Sequence, residues 1–303
     1  MDKFLNPHTI GIDLGGTQIK GVLLNTSGEA VRQQILPTDD EPGGDWKEKV
    51  RELAEGLKAS APGEDFRIGL SAPGLANAEN TAISYMPDRL TGLENFIWGE
   101  FLGAPTWVLN DAHAALMAEA EFGAAKGCRN VLLLTLGTGV GGGILINGEL
   151  YQGQFQMAGH FGHFSVNAND DERSLLGAPG SLEYAIGNYS IRRRSFGKFS
   201  STMDLLKAYR TGDPFATWLW LESVRKLAAG IASLSNAFSP EIVVLSGGIT
   251  LAGNDLFQPL ESFLDIYGFR PENNKIAIRR AHFAELSGAI GAAAFALKKS
   301  ITP

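Results

Sequence analysis

Cysteine is almost missing from this chain: Cys128 is the only one among 303 residues. A single thiol closes no intramolecular disulfide and builds no multi-cysteine zinc site, so nothing calls for an oxidising compartment. Long apolar runs are missing too; none reaches the roughly 18 residues that a membrane-spanning helix needs. The first residues, MDKFLNPHTIGID, have neither the charged start nor the apolar stretch of a signal peptide. A basic excess is also lacking. Lys and Arg total 26 against 33 for Asp and Glu, a net charge of −7, which argues against nucleic-acid binding. The one basic cluster, Arg192 to Arg194, is short and is expected to form a solvated turn. These absences predict a soluble, cytoplasmic protein with no nucleic-acid and no membrane partner.

What is present is an ordinary globular balance, 44% apolar and 19% charged, on enough chain for two domains of about 150 residues each. Glycine is the residue in excess, at 37, and its clusters carry most of the information. Residues 9–13 read as a strand, Leu14-Gly15-Gly16-Thr17 as a turn, Gln18 to Leu24 as the returning strand, and Asn25 to Gly28 as a second turn. The same order recurs 122 residues later: strand 130–136, the glycine turn Gly137 to Gly143, return strand 144–146, turn Asn147-Gly148. An offset that long signals two related domains and not a solenoid. Between and after these hairpins lie a helix over 45–60 stopped by Pro62-Gly63, and strands 67–71 and 106–109. A helix over 112–125, helices 202–210 and 215–238, strand 241–246 with the turn Gly247-Gly248, and a small-residue helix over 285–299 follow. Alternating strands and helices give an α/β class.

Each of three glycine loops follows a strand. Without a Cβ, backbone N–H groups can approach an anion closely, and Thr17 and Thr138 add hydroxyl donors. A lone loop of this kind is more often a plain turn; three in one strand-turn context favour phosphate binding. There is no Walker A sequence and no dinucleotide fingerprint opening a helix, since these turns open onto strands. Asn110-Asp111 ends a strand and starts a helix, and by itself reads as an N-cap.

The segments Asp13 to Lys20 (DLGGTQIK), Asn110-Asp111-Ala112, Leu136 to Gly143 (LGTGVGGG), Ala158-Gly159 with Gly162-His163, and Leu245 to Ile249 (LSGGI) together resemble the ROK family of bacterial sugar kinases and repressors. The resemblance runs from about residue 9 to 295. It implies an α/β actin-like ATPase (ribonuclease H-like) fold, two βββαβα-type domains around a cleft. Residues 1–110 and the C-terminal helix 285–303 would form the small domain, and 111–284 the large one. It implies ATP gripped by the two glycine hairpins, at Gly15, Gly16, Thr17, Gly137, Thr138 and Gly139, with Gly247 and Gly248 beside the adenosine. Mg²⁺ would lie near Asp13, held through water. Asp111 would be the general base, and Asn110, His160, His163 and Glu183 would contact the sugar. The repressor branch carries an N-terminal DNA-binding domain, for which a first strand near residue 9 leaves no room. The expected activity is therefore ATP-dependent phosphorylation of a hexose or N-acetylated amino sugar. The alternatives are a sugar-binding regulatory relative of the same fold without strong activity and, less well supported, a chaperone-type ATPase. Homodimers are common in the family.

Two departures from the family pattern stand out. The cysteines that ligate zinc beside the His of Gly-His are Ser174, Leu176 and Ser181 here, so no structural zinc is expected. The family glutamate two residues before Gly162 is His160, which replaces an acceptor-only carboxylate by a group able to donate. A site built to bond one hydroxyl can reject an analogue about 10⁴-fold, so His160 bears on which sugar is used. His113, often Asn in the family, is expected to be a surface variation. The resemblance sets Ser71 to Gly74 and the loop Asp88 to Asn95 where the family's small domain touches sugar, and no roles are assigned to their residues.

Overall fold

A computed structural model describes residues 8–25, 28–40, 44–61, 65–87 and 89–299. The expected turn residues Thr26 and Ser27, the stop at Pro62-Gly63, the N-terminal seven residues and Asp88 lie outside that set. The chain divides into two compact units. Unit 1 comprises residues 1–127, 152–157 and 282–303; unit 2 comprises 128–151 and 158–281.

Unit 1 opens with three antiparallel strands, β1 (His8–Leu14), β2 (Gln18–Leu24) and β3 (Ala30–Pro37), and the helix α1 (Trp46–Lys58). Then come β4 (Phe66–Ala72), a short ribbon of β5 (Leu75–Ala76) and β6 (Ile83–Tyr85), α2 (Trp98–Leu102), β7 (Thr106–Asn110) and α3 (Asp111–Glu121). Unit 2 repeats the plan. Its strands are β8 (Val131–Leu136), β9 (Val140–Ile146) and β10 (Glu149–Tyr151). The helices α4 (Leu182–Ile186), α5 (Ile191–Arg194), α6 (Thr202–Arg210) and α7 (Pro214–Phe238) follow. Next are β11 (Ile242–Ser246), α8 (Asn254–Tyr267) and β12 (Ala277–Arg280). The chain returns to unit 1 as α9 (Ser287–Lys298).

The duplication seen in the sequence is a duplication of topology. One sheet runs β3-β2-β1-β4-β7 and the other β10-β9-β8-β11-β12, each with an antiparallel hairpin followed by parallel strands. Parallel pairing demands helical crossovers, which cover both faces. In unit 1, Trp46, Val50, Leu53 and Leu57 form the buried stripe of α1 against one face of the sheet. Burying each such side chain contributes about 1.5–3 kcal/mol. The opposite face takes α9, and there the glycines decide the packing. A Cβ on Gly11 of β1 would stand 1.9 Å from Ala289 O, and one on Gly69 of β4 equally 1.9 Å from Ala292 O. Backbone thus lies on backbone, which only glycine permits. Gly291 makes the same close approach from α9 to α3, where a Cβ would fall 1.6 Å from Ala114 O.

That contact moves a boundary. The sequence suggested a division after residue 110, but α3 packs on α9 and the division falls at Gly127–Cys128. α3 is buried on nearly every side, His113 included at 1% exposure, so that residue is no surface variation. The Arg192 to Arg194 cluster is a short helix and not simply a solvated turn. Arg194 donates to Ser190 Oγ at 2.9 Å and to Ser223 Oγ at 2.6 Å, and burial pushes its guanidinium down to about 10. Among the described residues no helix is long and apolar enough to cross a membrane.

Candidate active site

The carboxylates of unit 1 meet because of strand order. β1, β4 and β7 are adjacent and parallel, with Asp13 beside Ser71 and Ala72 beside Asn110 in register. Their carboxyl ends therefore coincide, which is where open α/β sheets place ligands. Ser71 Oγ donates to Asp13 Oδ1 at 2.8 Å. Asp13 pairs in register with Lys20 across the β1–β2 hairpin. Its carboxyl is raised to about 6, first by burial and then by the neighbouring Asp111 charge, against the Ser71 hydrogen bond and Lys20. Asp13 also lies over the start of α9, where a Cβ on Gly288 would come within 2.5 Å of its Oδ1.

Asn110 is the N-cap of α3. Its Oδ1 accepts from Ala112 N at 2.9 Å and its Nδ2 donates to Gly74 O at 2.8 Å, tying the Ser71 to Gly74 loop to the end of β7. Asp111 is the first helical residue. One of its oxygens accepts from Ala112 N at 2.8 Å, and the side chain stays accessible to solvent. Surrounding protein nonetheless raises its pKa, against the Ala112 and Asn110 hydrogen bonds and the Arg89 charge. An accessible carboxylate with an elevated pKa at a helix N-terminus is poised to take a proton.

The β1–β2 turn is closed by Gly15 N donating to Gln18 O at 3.0 Å, and Gly15 O accepts from Thr38 Oγ1 at 2.7 Å. Gly15 N–H is thus spent on the turn itself. The N–H groups of Gly16 and Thr17 have no acceptor among the described residues.

Unit 2 has the matching turn, closed by Gly137 N to Gly139 O at 3.0 Å, with Thr138 and Gly139 N–H likewise unspent among the described residues. Glu183, 5% exposed, reaches this hairpin. Its Oε1 accepts from Val140 N at 3.1 Å and its Oε2 from Leu175 N at 3.0 Å. The same carboxylate therefore joins the glycine hairpin to the loop 172–183. His160 and His163 flank the single helical turn Phe161–His163, and Nδ1 of His163 is buried with no partner among the described residues. Gly247, at φ 88, turns the chain at the end of β11 against Leu136 of β8, where any Cβ would stand 2.4 Å from Leu136 O. Thr250 Oγ1 holds Gly247 O at 2.7 Å.

The loop that carries zinc in part of the family is built differently. Ser174 Oγ accepts from Ala178 N at 2.9 Å, and Ser181 Oγ caps α4 by accepting from Tyr184 N at 3.1 Å. Leu176 is 67% exposed. Two hydroxyls committed to backbone and a leucine facing solvent do not make a zinc donor set.

Sequence reasoning missed Ser71 as a partner of Asp13, Gly288 under that carboxylate, and Arg89. Ser71 and Arg89 lie in the two loops that the resemblance sets near the sugar without a role, and the first also carries a local signal, a glycine turn directly after a strand.

The two sheets and the paired glycine hairpins define the actin-like ATPase fold. Residues 9–299 match the ROK family, and the chain belongs to it. It is 30% identical to a glucokinase of Halalkalibacterium halodurans, over 93% of this chain and 92% of that one. It is 31% identical to the N-acetylgalactosamine kinase AgaK of Shewanella sp., over 79% of this chain and 81% of that one. Among solved structures it superposes with a TM-score of 0.75 on a ROK family glucokinase from Streptomyces griseus in complex with glucose and AMPPNP, at 25% identity, covering 96% of this chain and 100% of that one.

Proposed function

We propose that this protein transfers the terminal phosphoryl group of ATP to a hydroxyl of a hexose or an N-acetylated amino sugar, with Asp111 as general base. It is a sugar kinase of the ROK family, matched along nearly its whole length by glucokinases. The observation that carries the finer reading is Asp111 itself: accessible, raised in pKa, and placed with Asp13 at the carboxyl ends of parallel strands on either side of β4. The Asp111 oxygen that does not accept from Ala112 takes the proton of the attacking hydroxyl. The new O–P bond forms as the bond from the terminal phosphorus to its bridging oxygen breaks, and ADP leaves with that electron pair. Desolvation by the surrounding protein disfavours ionisation of Asp111 although the side chain remains accessible, which strengthens it as a base.

The unspent N–H groups at Gly16, Thr17, Thr138 and Gly139 supply donors for phosphate oxygens. The Gly247-Gly248 turn takes the adenosine. Asp13 fits a magnesium ion, since a carboxylate held near 6 by burial gains most from a dication that keeps it ionised. When bound through water, Mg²⁺ neutralises phosphate charge. Asn110, Glu183 and His163 bond sugar hydroxyls. Glu183 spends one lone pair per oxygen on backbone and keeps others for a hydroxyl. His160 replaces an acceptor by a group that donates, and sets the sugar preference.

The test is a coupled ADP-release assay with Mg-ATP across hexoses, N-acetylhexosamines and a blank without sugar. Release that depends on sugar, with one preferred substrate, is expected. Equal release in the blank, or none with any sugar while ATP still binds, would overturn the reading.

A further inference from the structure

Arg89 has no counterpart among the motifs that brought the site together, yet unit 1 fixes it over the β1–β2 glycine turn. The fixing is done by its neighbour. Leu90 is buried at 1% exposure, takes φ 50, and donates its N–H to Asp40 Oδ1 at 2.7 Å. Leu93, also buried, donates its N–H to Leu90 O at 2.9 Å, and Glu94 Oε1 accepts from Met86 N at 2.6 Å. A bulky residue held in the left-handed region is strained, and it persists only where its surroundings over-determine it. The described residues from Leu90 to Glu94 are therefore held in place.

From beside that segment the guanidinium reaches back onto bare backbone. A Cβ on Gly16 would stand 1.6 Å from Arg89 Nη2, so the end of this half-exposed side chain lies directly on Gly16. The ion pair with Asp40 uses Nε alone, at 3.5 Å from Oδ2, and the two Nη groups donate to nothing else among the described residues. The charge of Arg89 is felt at Asp111 on the neighbouring strand end. A surface pair of this kind contributes little and does not explain why the fork should lie on a glycine turn. An anion at that turn does explain it: Gly16 and Thr17 carry unspent backbone N–H groups, and the guanidinium, with donors to spare, lies on the same turn.

We infer that Arg89 is a ligand of the terminal phosphate of the bound nucleotide, a guanidinium supplied from within the chain to the phosphoryl group in transfer. The assignment rests on the reading that the Gly15 to Thr17 turn grips phosphate. In transfer, negative charge spreads over the phosphoryl oxygens between Asp111 and the departing ADP, and a preorganised fork stabilises that charge without reorganising.

The experiment compares wild type, Arg89→Ala, Arg89→Lys and Gly16→Ala, each checked for an unchanged melting curve. Calorimetric affinities are measured for Mg-AMPPNP and for Mg-ADP, and kcat and KM are measured with the preferred sugar. Arg89→Ala should weaken AMPPNP about 10–100-fold and lower kcat about 10²–10³-fold, while ADP affinity and the sugar KM stay within about threefold. Lysine should rescue part of the loss, because it restores charge without the fork. Gly16→Ala should lose AMPPNP preference in the same way by displacing the guanidinium. An unchanged AMPPNP to ADP ratio in Arg89→Ala overturns the inference, as does a change confined to the sugar KM. Because affinity is read without turnover, a wild type that binds AMPPNP but shows no sugar-dependent ADP release sinks only the kinase reading. A wild type that binds neither nucleotide sinks both.

Discussion

Asp13 should cost this protein stability for as long as its site is empty. Its carboxyl is raised from 3.8 to about 6, chiefly by burial, with Asp111 adding like charge. At neutral pH a carboxylate with that shift is destabilising by about 3 kcal/mol relative to the unfolded chain. The sign follows from proton uptake. Between pH 4 and 6 the folded state holds the proton more tightly, so stability falls as pH rises through that window, and the full cost is present above pH 6. Asp13→Asn removes the charge while its side-chain oxygen can still accept from Ser71 Oγ. The substitution should therefore stabilise the protein free of nucleotide and metal by about 1–3 kcal/mol at pH 7.5, a rise of several degrees in melting temperature at about 2–4 °C per kcal/mol. The advantage should shrink at pH 5 and vanish below pH 4. Activity should fall in the opposite direction, since the group lost is the one proposed to hold Mg²⁺. Thermal melts in chelator at pH 4, 5, 6 and 7.5, run beside the ADP-release assay, measure both. A variant less stable than wild type at pH 7.5, or a gain independent of pH, would refute the argument that burial and like charge dominate at Asp13.

Other outcomes follow from the same geometry. Asp111→Asn should lower turnover about 10²–10⁴-fold and leave nucleotide affinity nearly unchanged; activity within a few-fold of wild type would remove Asp111 as the base. Gly288→Ala places a methyl against the Asp13 carboxylate, and should reduce kcat and weaken Mg²⁺ dependence while the fold survives, as a magnesium titration of activity would show. Gly291→Ala sets a methyl against the backbone of α3, and should destabilise by at least about 1–3 kcal/mol, read as a lower denaturant midpoint.

Much of the fold was legible because its signals are local. The glycine hairpins, their 122-residue offset and the N-cap at Asn110 are properties of a few adjacent residues, and the structure returns them as duplicated sheets of identical order. The elements that went unread lack such signals. β3 is an edge strand, exposed at most positions, with no regular alternation of apolar and polar residues to mark it. α8 contains Pro259, which reads as a break although the helix runs through it. β12 is a short edge strand ending in two arginines.

The sequence by itself determined the class of fold, the two glycine hairpins and the placing of Asp13 and Asp111 at strand ends, because these follow from short motifs and their order along the chain. Only the tertiary structure decided that Glu183 fastens the second hairpin, that His113 is buried and Arg194 held on Ser190 and Ser223, and that α3 belongs with α9. Arg89 belongs to the second group for the plainest reason. Its place over Gly16 is set by Leu90 and Asp40, and residues 16 and 89 become neighbours through packing that no run of adjacent residues encodes.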